Sequence, residues 1–234
     1  MSAYPTVKTI EEFRQQPAEY QDAVRKIVRS HALNELYGAQ VFDEPAIRLA
    51  PTPYAKWLTC RVAMEEYHHH VRFKELADQI GVRPEEMDTK NKRPLNIFEL
   101  PLESWEQFCV IKMLGDLAEI LQVEDLLHCT FHPLRNLARA TMPEERFHAQ
   151  FGEDFSAELV KTPDGKARLQ AAVDEYWPYL PKFFGGSKSR NNEIFRKWKI
   201  KQRTNDEMRE DFVKRATEVA AKYGLTLPEV RLAA

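Results

Sequence analysis

Apolar residues recur about every 3.6 positions along most of this chain, the period of an amphipathic helix. A helix predicted over about residues 18–41 carries one such stripe, in which a single acid, Glu35, interrupts the apolar face. The stripe consists of Tyr20, Val24, Val28, Ala32, Glu35, Ala39 and Phe42. The alternation typical of strands is nearly absent, and glycine is scarce. The pattern therefore predicts an all-α protein.

A second helix, predicted over about residues 54–80, contains an acid and a histidine three positions apart in two possible registers. The stripe through Glu66 and His69 is otherwise apolar, whereas the stripe through Glu65 and His68 looks solvated. An acid on a core-facing stripe must be paired or bound to metal, because an isolated buried carboxylate is very costly. Residues i and i+3 share one helix face, so Glu66 and His69 could bind the same ion.

A third helix, predicted from about residue 104 to 121, has one acid, Asp116, on its apolar stripe. That stripe consists of Cys109, Met113, Asp116, Ile120 and Val123. Glu119 is the competing candidate, but its own stripe contains Lys112 and Gln122, so an ion pair would explain it. We therefore favour Asp116 as the third acid.

The segment over residues 123–159 is predicted to be helical with breaks, and it repeats the spacing of the second helix. Its apolar stripe carries Glu145 and His148, again three positions apart. The adjacent Glu144 has no histidine at i+3, so Glu145 fits the spacing better.

These acids form a cryptic repeat. Glu35 precedes Glu66 by 31 residues and Asp116 precedes Glu145 by 29 residues, so each half is an acid, a helix reversal and a Glu-x-x-His pair. Two antiparallel helix pairs would place these side chains in the core of a four-helix bundle, as in carboxylate-bridged di-metal proteins. The predicted ligands are Glu35, Glu66, His69, Asp116, Glu145 and His148.

Six ligands of mixed oxygen and nitrogen type suit two iron ions, with manganese as an alternative. Iron in the di-ferrous state reduces O2, which can then oxidise a nearby substrate. The pattern leaves open whether Glu66 or Glu145 bridges the ions, and the other two acids are predicted as terminal or shifting ligands. His68 and His70 are expected beside the site or on the surface.

The C-terminal third of the chain contains a further start signal for a helix. Thr204 and Glu207 have the spacing of a capping box and precede an amphipathic stretch. We expect a single domain over residues 1–234, with a core of about 18–160 and a helical extension of about 166–230.

Composition narrows the functional classes. The net charge of −2 gives no global field that would attract nucleic acid or an anionic membrane. The sequence contains no run of 18 apolar residues, the minimum expected of a membrane-spanning helix. The three cysteines are far apart and form no CxxC pair, which favours a reducing compartment and a cytoplasmic location.

Segments around the predicted ligands, and others in the C-terminal third, share the pattern of a known family. They are 33–39 (LNELYGA), 50–53 (APTP), 64–69 (MEEYHH), 75–81 (ELADQIG), 114–118 (LGDLA), 144–148 (EERFH), 190–193 (RNNE), 196–198 (RKW), 203–207 (RTNDE) and 224–228 (GLTLP). The sequence resembles the catalytic subunit of the phenylacetyl-CoA epoxidase family over about residues 15–230, and the related benzoyl-CoA epoxidase shares the ligand pattern. The C-terminal segments belong to no ligand motif, so they support the resemblance independently.

The resemblance implies a ferritin-like fold, a non-haem di-iron centre and O2-dependent epoxidation or hydroxylation of an aryl-CoA thioester such as phenylacetyl-CoA. It implies three kinds of partner: a structural ferritin-like sister subunit, a flavin and iron–sulfur reductase, and further copies in an oligomer. That sister subunit often lacks part of the ligand set. This chain retains all six candidates, which favours the catalytic role.

Basic residues near the C-terminus and in one loop could bind the phosphates of coenzyme A, which need cationic donors. The candidates are Lys188, Arg190, Lys197, Lys199 and Lys201, or the loop residues Lys90, Lys92 and Arg93. The alternative is a solvated or subunit-contacting face.

Two other functions remain open from the sequence. The chain could be a non-catalytic structural subunit of such an oxygenase, with a metal-free core. It could also be a ferritin-like iron oxidase, although the long C-terminal extension argues against that interpretation.

Overall fold

The computed structural model describes residues 6–89 and 95–229, and this part of the chain is built from helices. The α-helices are Ile10–Arg14 (α1), Ala18–Gly38 (α2), Glu44–Leu49 (α3), Pro53–Gln79 (α4), Trp105–Val110 (α5), Asp116–Leu126 (α6), His132–Leu159 (α7), Pro163–Tyr176 (α8), Arg190–Lys197 (α9) and Asn205–Lys222 (α10). Short 3-10 turns occur at Pro84–Met87, Asn96–Glu99 and Leu180–Phe184. The predicted all-α class is confirmed.

Four long rods form the centre of the molecule. Helix α2 packs along α4, α6 packs along α7, and α4 also contacts α7. Two of the rods are continuous through a π-helical turn: Ala39–Asp43 joins α2 to α3, and Ile111–Gly115 joins α5 to α6. This arrangement is the predicted ferritin-like four-helix bundle.

Local sequence signals set the ends of the rods. Thr52 caps α4 by accepting a hydrogen bond from the backbone of Ala55, and α4 ends before Gly81, whose φ of 77° suits glycine. Ser104 and Gln107 form a capping box at the start of α5. These caps fix where the ligand-bearing helices begin and end.

The first rod differs from the prediction. The sequence predicted a helix ending near residue 41, but the chain continues through the π-turn Ala39–Asp43 into the short helix α3. Pro45 does not prevent this, because a proline in the first turn of a helix removes no intrahelical hydrogen bond. The continuation brings Asp43 into the interior, where it is 1% exposed.

Two apolar clusters fill the bundle at either end. One contains Phe13, Val24 and Phe73, and the other contains Val62, Phe108 and Phe151. Along α4 the change from one cluster to the other occurs between Val62 and Phe73, the stretch that contains Glu66 and His69. A layer of buried charged groups therefore lies between two dry cores.

The C-terminal helices pack against the second half of the bundle. Helix α8 contacts α5, α10 contacts α6, and the ring of Trp177 stacks on Phe212 with centroids 5.5 Å apart. The predicted capping box of Thr204 and Glu207 opens α10. The single-domain organisation stays a prediction, which these contacts support.

Candidate metal centre

The four rods bring all six predicted ligands into the layer between the two apolar clusters. Each of them is at most 8% exposed. Glu35 comes from α2, Glu66 and His69 from α4, Asp116 from the start of α6, and Glu145 and His148 from α7. The i, i+3 spacing predicted for α4 and α7 places each Glu and His on the same inward face.

The six side chains form two groups of possible ligand atoms that share one residue. Glu35, Glu66, His69 and Glu145 offer atoms that all lie within 4.8 Å of one another. Glu66, Asp116 and His148 form a second such group. Glu66 belongs to both groups, so it is the carboxylate that would be shared if each group held an ion.

Each histidine is oriented by an acid from the opposite helix. His69 Nε2 on α4 lies 2.8 Å from Glu144 Oε2 on α7, and His148 Nε2 on α7 lies 2.9 Å from Glu65 Oε2 on α4. A carboxylate at one ring nitrogen fixes the tautomer and leaves the other nitrogen free to bind a metal. Both Nδ1 atoms therefore face the interior of the bundle.

This role of Glu65 and Glu144 was not predicted from the sequence. Glu65 was assigned to a solvated stripe, but its side chain is only 12% exposed. A signal for both was present, because each Glu-x-x-His pair is preceded by a second glutamate, giving Glu-Glu-x-x-His twice. In each doublet the second acid points towards the ligand cluster and the first reaches across to the histidine of the partner helix.

The inward nitrogens provide a test of whether the residues present fit metal ions. His69 Nδ1 lies 3.0 Å from Glu145 Oε1, and His148 Nδ1 lies 3.1 Å from Glu66 Oε1. Neither pair is aligned as a hydrogen bond, so both buried nitrogens lack a hydrogen-bond partner. Buried polar atoms are normally satisfied, and a bound ion is one explanation of an exception. The donor set of carboxylates and imidazoles fits two transition-metal ions.

The acids crowd each other in the first group. Burial, followed by the neighbouring carboxylates of Glu119, Glu145 and Glu66, raises the pKa of Glu35 well above its usual value. Burial lowers the pKa of His69, but the contacts with Glu145, Glu66 and Glu35 outweigh it and raise that pKa to about 12. The cluster therefore stabilises positive charge strongly.

A buried lysine, Lys112, lies among the acids of the second group. Its Nζ is 2.8 Å from Glu66 Oε1, 3.1 Å from Asp116 Oδ2 and 2.9 Å from Asp43 Oδ1. Burial lowers the pKa of this ammonium, but Asp116, Asp43 and Glu66 raise it well above its usual value. An ion bound to Glu66 and Asp116 would compete with this ammonium for the same two carboxylates.

Lys112 also corrects an inference from the sequence. It was assigned to the stripe of Glu119 as an ion-pair partner, but it contacts Asp116 instead, and Glu119 lies beside His31. The π-turn Ile111–Gly115 explains the error, because one extra residue in a turn changes which side chains share a face. Asp116 lies with Glu66 and His148, whereas Glu119 lies with His31 and Glu35, and the role of Asp116 as a ligand stays a prediction.

The two neighbouring histidines lie outside the ligand groups. His70 Nδ1 is 2.6 Å from the carbonyl oxygen of Ala32, and His68 is exposed and accepts a hydrogen bond from Arg72. Both positions agree with the expectation that these residues lie beside the site or on the surface.

Similarity to known proteins shows the family of this chain. A family model described as "Phenylacetic acid catabolic protein" matches residues 1–233. The chain belongs to this family. It is also 27% identical over 220 residues to one of the subunits of 1,2-phenylacetyl-CoA epoxidase from Escherichia coli (strain K12). That match covers 91% of this chain and 71% of the relative, so the resemblance inferred from the sequence is confirmed.

In this member of the phenylacetic acid catabolic protein family, the ligand cluster borders a cavity of about 470 Å³. Its walls include four acids of the cluster, Glu35, Glu66, Asp116 and Glu145. Phenyl rings from Phe42, Phe98, Phe183 and Phe184 line it, as do the cations Lys26, Arg29 and Lys201. A small molecule in this cavity would therefore reach the acids while touching apolar and cationic walls.

The basic residues predicted to bind coenzyme A do not form one cluster, because some line the cavity and others lie at the surface. Lys201 is 8% exposed, lines the cavity and donates a hydrogen bond to Gln122, whereas Lys197 pairs with Glu19 at the surface. The loop residues Lys90, Lys92 and Arg93 lie outside the described residues. Lys26 and Arg29 on α2 were not anticipated, because the sequence pattern singled out only the apolar stripe of that helix.

None of the helices in residues 6–89 and 95–229 combines the length and the apolar character that crossing a bilayer needs.

Proposed function

We propose that this chain is the metal-binding, oxygen-activating subunit of a multicomponent oxygenase of phenylacetate catabolism. Its centre would hold two iron ions, with manganese as the alternative, and O2 would be the co-substrate. The reaction would be epoxidation or hydroxylation of the aromatic ring of an aryl-CoA thioester such as phenylacetyl-CoA. The activity for which the Escherichia coli relative is named supports this class of substrate.

One observation carries the proposal: four carboxylates and two imidazoles, side chains that could hold two ions, are buried together in one layer of the bundle. Glu66 belongs to both groups of ligand atoms, and each group includes a histidine whose Nε2 contacts a carboxylate. An inert scaffold has no need of six buried ionisable groups, since each is costly to bury.

Ferrous ions, when bound, would supply the electrons and open coordination positions for the reduction of O2. The rest of the work belongs to this chain's own residues. With ions bound, Glu65 and Glu144 would accept hydrogen bonds from Nε2–H of His148 and His69, which would leave the Nδ1 lone pairs for the ions. The apolar clusters on either side keep bulk water away from the reacting region.

The lining of the cavity is compatible with an acyl-CoA substrate. Phenyl rings of Phe42, Phe98 and Phe183 would pack on an aromatic acyl group near the acids. A second pocket of about 260 Å³ shares Lys26 and Arg29 with the first and adds Arg25 and Arg83. Cations along this path suit the pyrophosphate and 3′-phosphate of coenzyme A.

Three kinds of partner follow from the proposal. A separate flavin and iron–sulfur reductase would deliver electrons, and a structural ferritin-like sister subunit would complete the enzyme, in which several copies assemble. The Escherichia coli relative is one subunit of an epoxidase, which supports the presence of other subunits. A cytoplasmic location stays a prediction from cysteine usage, and the three cysteines of the chain are free thiols.

The decisive experiment combines the metal-loaded chain with a reductase, O2 and a panel of acyl-CoA thioesters. Mass spectrometry would then detect products that have gained one oxygen atom. Glu66→Ala and His148→Ala should lose both metal and turnover, because each removes a ligand. Glu75→Gln, an exposed acid on the same helix as Glu66, is the matched control and should behave as the unaltered chain.

Each alternative function has its own outcome in the same experiment. A structural subunit would take up no iron when expressed with iron in excess. An iron oxidase would oxidise added ferrous iron at the same rate with and without acyl-CoA, and no oxygenated thioester would form. Full metal occupancy in both alanine variants would contradict the ligand assignment itself.

A further inference from the structure

A third group of possible ligand atoms lies beside the six-residue centre, on the wall of the larger cavity. It consists of His31, Glu35 and Glu119, whose donor atoms all lie within 4.8 Å of one another. His31 and Glu35 are one helical turn apart on α2, and Glu119 comes from α6. Two of these three residues, His31 and Glu119, have no part in the centre described above.

The group is built into the interior rather than formed by chance on the surface. His31 is 8% exposed, and its ring stacks on Phe73 with centroids 5.2 Å apart and planes 13° apart. The stacking holds His31 Nδ1 at 3.3 Å from Glu119 Oε1. The imidazole is therefore fixed in one orientation, as a ligand must be.

Glu119 supplies a second, independent indication of a ligand. Its Oε1 atom is shielded from solvent, and although His31 Nδ1 lies 3.3 Å away, neither it nor any other donor among the described residues is aligned with this oxygen as a hydrogen bond. The side chain as a whole is 29% exposed and borders the cavity. A buried carboxylate oxygen without a donor is rarely left so in a folded protein, and a cation reached from the cavity would satisfy it.

We propose that His31, Glu35 and Glu119 form a third divalent-cation site, distinct from the six-residue centre but sharing Glu35 with it. One imidazole and two carboxylates suit Fe²⁺, Mn²⁺, Co²⁺ or Zn²⁺. Three protein ligands leave coordination positions open towards the cavity, so the ion would be exchangeable. When occupied, the site would use the second oxygen of Glu35 and place an additional positive charge next to the centre.

The site can be located by soaking crystals of the full chain with Mn²⁺ and measuring anomalous scattering. We expect a peak between His31 and Glu119, in addition to any peaks at the six-residue centre. Glu119→Gln and His31→Gln should each abolish that peak, since each removes one of three ligands. Glu124→Gln is the matched control, because Glu124 lies on the same helix with similar side-chain exposure, 28% against 29%, and pairs with Arg215.

Equilibrium dialysis with Mn²⁺ gives the same test in solution. Both variants should bind about one ion fewer per chain than the unaltered protein and the Glu124→Gln control. The glutamine side chains keep the approximate size of the originals, and circular dichroism checks that the helices are retained. Unchanged stoichiometry in both folded variants would overturn the proposal.

The third site depends on the proposed function only because both use Glu35. The third site and the proposed function can therefore fail separately. Mn²⁺ at the six-residue centre with none beside His31 overturns the third site and leaves the proposed function intact. Mn²⁺ beside His31 with none at the six-residue centre supports the third site and overturns the metal centre of the proposed function.

Discussion

Glu144 on α7 holds the imidazole of His69 on α4, with Oε2 and Nε2 2.8 Å apart. The contact crosses between two helices, so the orientation of a ligand on α4 depends on the position of α7. The same relationship runs in the opposite direction between Glu65 and His148. The two helices therefore position each other's histidines, and neither Glu-x-x-His pair is complete without the other helix.

This reciprocity leads to the first prediction. Glu144→Gln and Glu65→Gln remove the charge that fixes the histidine tautomer, and each should weaken metal binding by about 10- to 100-fold. A competitive titration with a chromophoric chelator would measure the affinity. Glu75→Gln on the exposed face of α4 should leave it unchanged. Wild-type affinity in both variants would mean that the carboxylates do not orient the rings.

The second prediction concerns Lys112. Lys112→Met removes the ammonium that contacts Asp43, Glu66 and Asp116, which should cost the metal-free protein about 3–5 kcal/mol of unfolding free energy. Added metal should restore more stability to the variant than to the unaltered chain, because the ion replaces the missing charge without having to displace a lysine.

Thermal unfolding with and without Mn²⁺ would test this difference. Lys74→Met is the control, since Lys74 forms a surface pair with Asp78 and its loss should change stability by less than about 0.5 kcal/mol. An equal loss of stability in the presence and absence of metal would show that Lys112 and the ion do not occupy overlapping positions.

The third prediction concerns the close approach of α7 to the π-turn at Ile111–Gly115. A Cβ atom at Gly152 would lie 2.2 Å from the backbone nitrogen of Met113 and 2.6 Å from the carbonyl carbon of Lys112. Because these are backbone atoms, no rotamer change relieves the clash, and Gly152→Ala should cost about 1–3 kcal/mol or more. Denaturant unfolding would measure the loss.

Gly38→Ala is the comparison for this variant. Gly38 also lies in a helix, at φ −55°, but the nearest other atom to a Cβ there is 4.0 Å away. Alanine should therefore stabilise the protein by about 0.4–1 kcal/mol at this position. Similar effects of the two substitutions would contradict the close helix approach.

The fourth prediction depends on the proposed acyl-CoA substrate. Arg29 lines both pockets, and its buried Nε has no hydrogen-bond partner, so it has capacity to donate to a phosphate. Arg29→Met should raise KM for an acyl-CoA by about 10-fold or more, the value of a charge-assisted hydrogen bond, with little change in kcat. Arg48→Met, an exposed cation on α3, should change neither constant.

The sequence predicted the bundle and the positions of the six acids and histidines because both follow from a helical period. An acid on an apolar stripe is an anomaly that the period alone reveals, and Glu35, Glu66 and Glu145 are all buried as that pattern indicated. Their capacity to bind metal stays a prediction.

Some features of the site could not be predicted from the sequence. They depend on contacts between helices or on departures from the 3.6-residue helical period. Glu65 and Glu144 lie one residue away from the inward stripe, and only the packing of α4 against α7 gives them partners. Lys112 was misassigned because it lies in a π-turn, and Asp43 was missed because the first helix was expected to end near residue 41.

Because of the π-turn at Ile111–Gly115, the position of Asp116 depends on the number of residues in this segment as much as on which residues they are. An α-helix gains such a turn when one residue is inserted, and each residue advances the helix by about 100°. Deleting a single residue there would rotate Asp116 away from Glu66 while leaving every remaining amino acid unchanged. Among relatives, a gap of one position in this stretch would thus signal a lost acid more reliably than a substitution would.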